Sequence, residues 1–266
     1  MNLKKLHIHD VELLIDADKT DFNWYQRREV FEERVSLLYP LLRKHGFCNY
    51  IDVGANYGMI SIFGKKINPN ARIIALEADP RLIEVIEKNL VQNGISDIEV
   101  LNCVVGSVDQ EVRQFSLNPR SSLDNRVSMK AWEKVNVSTR RIDSIIRERG
   151  MEQSLFIKID TQGYEYNVLK GGEGYLENNA GWLVKMEFAP AWLISQGTDP
   201  RELLEYLGGR YVFAEFPARL PYGLRSIYEI FSLSILDGEY DCFIDYVQRL
   251  NKDGKGWVDL LVGPKS

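Results

Sequence analysis

Asn49-Tyr50-Ile51-Asp52-Val53-Gly54-Ala55-Asn56-Tyr57-Gly58 is the stretch from which the fold is read. Its first five residues predict a largely apolar strand, and Gly54 and Gly58 predict a sharp turn after it. Helical spacing follows at once, over 57–67. Strand, glycine turn and helix in direct succession open a β-α-β unit. Bare backbone at the two glycines lets a ligand come close and lets the helix start tight against the strand.

The same alternation continues outward. Strands are predicted over 72–78, 98–105, 112–117, 155–160, 182–188, 211–216 and 257–262, and helices over 80–93, 143–149, 164–171 and 200–207. Pro80 suits a helix's first turn. A polar stretch runs to Ser138, and a mixed segment fills 217–256. Upstream, residues 6–15 alternate loosely, as an edge strand or hairpin would. Val30, Phe31, Val35, Leu38, Leu41 and Leu42 carry helical spacing between Trp24 and His45, with Gly46 as the stop. Repeated β-α units with apolar strands imply an α/β fold: a doubly wound, mostly parallel sheet with helices on both faces and an N-terminal helical extension.

At 266 residues and 45% apolar composition the chain can bury a sizeable core. A net charge of −5 argues against a protein that mainly grips nucleic acid. From Asn118 to Gly150, however, eight Lys/Arg face four Asp/Glu. That run is either a solvated face or a docking surface for an anionic substrate. Cys48, Cys103 and Cys242 are unevenly spaced, so neither a disulfide framework nor a zinc site is expected, and Cys48 and Cys103 read as small core residues. The first ten residues lack the apolar core of a signal peptide, and no run of 18 apolar residues occurs. The expectation is a soluble, cytoplasmic protein without a membrane span, able to form a homo-oligomer.

In such sheets ligands bind beyond the carboxyl ends of the strands. The turn lacks a dinucleotide G-x-G-x-x-G, because Asn56 stands at the second glycine position. A pyrophosphate needs that bare backbone; a smaller zwitterionic ligand does not. Asp52 offers a partner for a cationic amine. Glu77, at the end of the next strand, offers a carboxylate to ribose hydroxyls. Val104-Val105-Gly106-Ser107, at the end of the third, offers either an adenine wall or plain core.

These segments resemble the FkbM family of methyltransferases, a branch of the class I enzymes that use S-adenosylmethionine. The likeness is carried by residues 51–58, by Leu76-Glu77-Ala78-Asp79-Pro80, by residues 102–107, and most distinctively by Ile157-Lys158-Ile159-Asp160-Thr161-Gln162-Gly163-Tyr164-Glu165 with Val168-Leu169-Lys170-Gly171. It implies a Rossmann-like, seven-stranded sheet and S-adenosyl-L-methionine held by Asp52, Gly54, Ala55, Asn56, Gly58, Glu77, Ala78 and Val105. Ser121-Ser122 resembles a family loop over the methionine end, which adds Ser122, although an ordinary turn reads equally well. The family implies methylation of a hydroxyl oxygen, often on a sugar or polyketide. Gln162 departs from its pattern, which has an acid there. One domain is expected, with an N-terminal extension and helix over 1–48, a cofactor-binding and catalytic core over 49–190, and C-terminal strands with substrate-side elements over 191–266.

Lys158-Ile159-Asp160 and Lys185-Met186-Glu187 end two strands in the same frame, so in each the lysine and acid face one side of the sheet. Parallel neighbours lie about 4.8 Å apart, which places Asp160 beside Glu187 and both lysines one pleat below. Either acid can serve as base for the acceptor hydroxyl, with Glu187 favoured and Lys158 assisting; a structural ion-pair cluster is the alternative. Tyr164 and Glu165 open a helix behind Asp160, Glu165 as a cap. Ala189-Pro190-Ala191-Trp192 and the segment 216–222 supply either a substrate wall or core. His7, His9 and His45 precede the cofactor turn, although His7 or His9 can still fold over the site. No metal site is read from the residues: one built on imidazole is not expected, and an oxygen-only Mg²⁺ or Ca²⁺ site stays open without support. The competing functions are a catalytically silent scaffold and a nicotinamide-dependent oxidoreductase.

Overall fold

All five residues of Asn49–Val53 are buried, as a strand covered on both faces requires. The computed structural model describes residues 1–26, 42–127, 132–216 and 226–265. In chain order, β1 (Leu3–Ile8) and β2 (Val11–Asp16) form an antiparallel hairpin, and a short helix α1 (Asp21–Gln26) follows. Next come β3 (Asn49–Val53), β4 (Arg72–Glu77) and β5 (Ile98–Asn102). A second sheet holds β6 (Val104–Val105), β7 (Val112–Leu117), β8 (Arg126–Val127) and β9 (Glu133–Arg140). The main sheet resumes with β10 (Leu155–Ile159), β11 (Trp182–Phe188), β12 (Tyr211–Phe216) and β13 (Val258–Pro264).

The main sheet has seven strands in the order β12-β13-β11-β10-β3-β4-β5. β10, β3, β4, β5 and β11 run parallel, and β13 is antiparallel to β11 and β12. Side chains alternate between two cores. Ile73 and Ala75 join the one beneath the hairpin and the helices Met59–Ile67 and Pro80–Gln92, while Ile74 and Leu76 join the other. That second core is closed by helices including Ile142–Arg149, Glu165–Gly171, Pro200–Arg210 and Tyr240–Arg249.

Several boundaries differ from those expected. The strand predicted over 98–105 breaks at Cys103, after which Val104–Val105 pairs with β9 instead. The polar stretch before Ser138 contains β8 and β9. In β9 the outward positions 133, 134, 136 and 138 are exposed, which hides a strand from an apolar search. The helix expected over 57–67 begins at Met59, because Gly58 occupies the left-handed region at φ 80°. Of the helix expected between Trp24 and His45, residues 27–41, with Val30, Phe31, Val35, Leu38 and Leu41, lie outside the described residues; Leu42 is buried and Gly46 has φ 68°. Cys48 is exposed rather than packed, while Cys103 is buried. No helix among the described residues is long and apolar enough to cross a membrane.

Candidate functional site

The carboxyl ends of β3, β4, β10 and β11 open into a cavity with two lobes. The larger, about 860 Å³, lies over β10, β11 and β13. The smaller, about 80 Å³, lies over β4, β6 and the second sheet. Gly54, Asn56, Leu123, Asp160 and Gln162 line both and so mark their junction.

The smaller lobe starts at the turn after β3. The amides of Gly54 and Ala55 donate to the Leu76 carbonyl at 2.9 and 3.0 Å, fastening the turn to β4. Gly54 has φ 75°, and a Cβ there would lie 2.0 Å from the Asp160 carbonyl oxygen. Asn56 also has positive φ, at 53°, which asparagine tolerates better than most residues. Its amide donates to Glu77 Oε2 at 2.7 Å, and the Asp79 amide donates to Oε1 at 2.8 Å. Glu77 is buried, and burial pushes its carboxyl up to about 7 against those two hydrogen bonds. Each of its oxygens keeps acceptor capacity toward the lobe. Ala78, Val105 and Ser122 complete the wall, with Cys103 and Val104. Gly58 stays off it and packs against Ile86.

Asp52 lines neither lobe. It is buried beneath the turn, where Ser61 Oγ donates to Oδ2 at 2.7 Å and Lys158 Nζ stands 3.4 Å from Oδ1. The charged partner nearest to it in the structure is thus Lys158. Lys158 also donates to the Gly54 carbonyl at 2.8 Å and stands 3.7 Å from Asp160 Oδ2. Burial opposes its charged form, but Asp160 and Asp52 outweigh that and leave its pKa raised.

Lys158 aligns with Lys185 across the parallel pair β10–β11, which brings Asp160 level with Glu187 as the matched frames predict. Gln162 Nε2 donates to both, at 2.9 Å to Asp160 Oδ1 and 3.1 Å to Glu187 Oε2. Glu187 is pushed well above the usual carboxylate range, first by burial and then by Asp160, Glu165 and Asp259. Lys185 does not serve this pair; it turns to Asp259 on β13 at 2.7 Å. Glu165 acts as a local cap, accepting from the amides of Thr161 and Gly163 at 2.9 and 3.1 Å.

Sequence patterns pointed to one aromatic of the larger lobe, Trp192, on the helix Pro190–Ser195. Trp24, Trp132 and Trp257 line it as well, so four of the chain's five tryptophans face this cavity and only Trp182 belongs to the core. The available signal was position: each of the three stands outside the predicted apolar periodicities or at a strand's edge. Arg126, from the basic run, is buried with its guanidinium 3.8 Å over the Trp192 ring. Arg140, Arg141 and Arg149 of the same run are committed to Glu148, Asp143 and Glu99.

The N-terminal segment roofs the turn. Asp21, fully buried, accepts from Tyr57 Oη at 3.0 Å, from the Ser122 amide at 2.9 Å and from the hydroxyls of Ser121 and Ser122. Tyr25 Oη donates to Asn56 Oδ1 at 3.3 Å. His7 lies against Glu12 and His9 against Phe63, and neither lines the cavity.

The family described as Methyltransferase FkbM domain matches residues 52–215. Methyltransferase sdnD of Sordaria araneosa is 28% identical over 152 residues, 46% of this chain and 59% of that protein. The 2-O-methyltransferase NoeI of Sinorhizobium fredii is 24% identical over 181 residues, 63% of this chain and 74% of that one. The match thus spans less than two thirds of the Sordaria relative, and likewise 57% of Methyltransferase 1 of Beauveria bassiana. Among solved structures, an O-methyltransferase from Bacillus cereus in complex with SAH aligns over 86% of this chain and 80% of its own, at 14% identity and a TM-score of 0.48. With the family matched across most of the sheet, the chain belongs to the FkbM family of S-adenosylmethionine-dependent methyltransferase domains.

Proposed function

We propose that the protein methylates a hydroxyl oxygen of a sugar or related polyol. The observation that carries this reading is the carboxylate pair Asp160–Glu187, with Asp160 at the junction of the two lobes and Glu187 in the tryptophan-lined one. The 2-O-methyltransferase among the relatives supports the oxygen acceptor.

The residues of the smaller lobe and of the junction fit the cofactor in their chemistry. Gly54 leaves room that a Cβ would fill, Glu77 presents acceptors to ribose hydroxyls, and Val105 and Ala78 offer apolar contact to an adenine. Gly54, Asn56, Glu77, Ala78, Val105 and Ser122 would hold it, with Ala55 from the larger lobe, while Asp52 and Gly58 shape the turn from beneath. When bound, S-adenosylmethionine supplies a methyl group on a positively charged sulfur. The tryptophans and Arg126 would orient the acceptor by stacking and hydrogen bonding. Asp160 or Glu187 would take the proton of the acceptor hydroxyl as its oxygen accepts the methyl group, with adenosylhomocysteine as the leaving product. Lys158 holds Asp160 in place and offsets its charge. A silent scaffold is the weaker reading, because Lys185 leaves the acid pair for Asp259 and Asp160 stays partly open to the cavity.

The test is methyl transfer to host glycan extracts by Asp160→Asn and Glu187→Gln. At least one should lose about 10²–10⁴-fold in rate with adenosylhomocysteine affinity nearly intact. Because Glu187's carboxyl is raised and a base acts deprotonated, the wild-type rate should climb with pH through a carboxylate ionisation above the usual range. Near wild-type rates in both amide variants would remove the pair from the chemistry.

A further inference from the structure

Gln162 sits in the left-handed region at φ 57°, where a residue with a side chain is disfavoured. In that conformation its side-chain nitrogen bridges Asp160 and Glu187, at 2.9 and 3.1 Å. Two carboxylates brought this close are ordinarily joined by a shared proton or by a hard divalent cation ligated through oxygen. Among the described residues no cationic side chain does so. Lys158, on β10 itself, reaches Asp160 but forms no ion pair with Glu187, and Lys185 is held by Asp259. Facing the pair from neighbouring elements are Asp52 of β3, Glu165 of the following helix, Asp259 of β13 and Arg126 of β8. The amide is the one donor to both acids among the described residues.

We propose that Gln162 is a positioning residue whose side-chain amide occupies the place of a divalent cation between Asp160 and Glu187, so that the pair works without metal. The inference rests on the reading of this pair as the reacting centre. An amide fixes the distance between the acids as a metal would but does not neutralise both charges. Lys158 offsets the charge of Asp160 alone, so Glu187 is the acid whose protonated form is favoured, and the pair is a proton-handling device rather than a Lewis-acid site.

Two variants test this. Gln162→Glu keeps the side chain's length and replaces the donor with a third carboxylate. In calorimetric titration with Ca²⁺, wild type should show no binding that depends on Asp160. Gln162→Glu should bind at least tenfold more tightly than wild type, and lose that binding when Asp160→Asn is added. Gln162→Met removes the donor and keeps the reach. Its rate-limiting carboxylate ionisation should move upward by about one unit, the size expected for one lost hydrogen bond to a charged group. Adenosylhomocysteine binding, measured alongside, reports that each variant is folded. The inference is overturned by wild-type Ca²⁺ binding that vanishes in Asp160→Asn, by a folded Gln162→Glu that binds no better than wild type, or by an unmoved pH profile in Gln162→Met. Failure of wild type to bind adenosylhomocysteine would instead overturn the methyl-transfer reading, and the Ca²⁺ titration would still decide the role of Gln162.

Discussion

The Lys158 ammonium donates to the Gly54 carbonyl at 2.8 Å, joining the strand that ends in Asp160 to the glycine turn of its neighbour. The same nitrogen stands 3.4 Å from Asp52, which is buried with it. Lys158→Met should therefore cost about 3–5 kcal/mol, because it leaves Asp52 buried without its cation. Adding Asp52→Asn should recover much of that loss in denaturant unfolding. A single variant within about 1 kcal/mol of wild type would show that the pair contributes little.

Glu77 should make cofactor affinity depend on pH. Its buried carboxyl is raised to about 7, so near neutrality the unliganded protein holds a proton there part of the time. The resulting stability is fully present below the unfolded value of 4.5 and is lost as pH rises through about 7. Ribose hydroxyls donate best to the ionised form, so affinity changes in the opposite sense. Calorimetry should show adenosylhomocysteine binding about tenfold more tightly at about pH 8 than at about pH 6, with Glu77→Gln flat across that range. A flat wild-type profile would detach Glu77 from the ligand.

Gly54 and Gly94 both have positive φ but differ in surroundings. A Cβ at Gly54 meets the Asp160 carbonyl oxygen at 2.0 Å, whereas one at Gly94 meets nothing within 4 Å. Gly94→Ala should cost about 1–2 kcal/mol, from backbone conformation alone. Gly54→Ala should cost more and abolish adenosylhomocysteine binding, which thermal unfolding and calorimetry would show together. Equal costs at the two positions would refute the close approach between β3 and β10.

Trp192 should matter to the acceptor and not to the cofactor. It supports the Arg126 guanidinium at 3.8 Å and lines the larger lobe only. Trp192→Ala should raise the acceptor KM by roughly tenfold, the size of a contact of about 1–2 kcal/mol. Adenosylhomocysteine affinity should stay within about twofold of wild type. A change in cofactor affinity alone would place the acceptor elsewhere.

How legible these features were depended on whether one residue's environment is set locally. Trp182–Phe188 and Tyr211–Phe216 were readable to the residue, because their apolar runs end at Pro190 and begin after the Gly208-Gly209 pair. The level placement of Asp160 and Glu187 was readable from two matching frames. The bridging by Gln162 was not, since it depends on a backbone angle that no spacing encodes. Asp52 was legible as a strand-end acid, but its burial with Lys158 arises from a register between strands more than a hundred residues apart. Trp24 and Trp257 reach one cavity from opposite ends of the chain, a convergence that appears only when the sheet closes.

β13 runs against both of its neighbours, so its starting end lies where the other strands finish. Asp253, Lys255 and Trp257, just ahead of it, thereby reach the wall of the larger lobe. The turn at Gly54–Gly58 is written some two hundred positions earlier in the chain. The glycine turn and the far wall of the larger lobe are thus separate passages of text that meet only at one cavity.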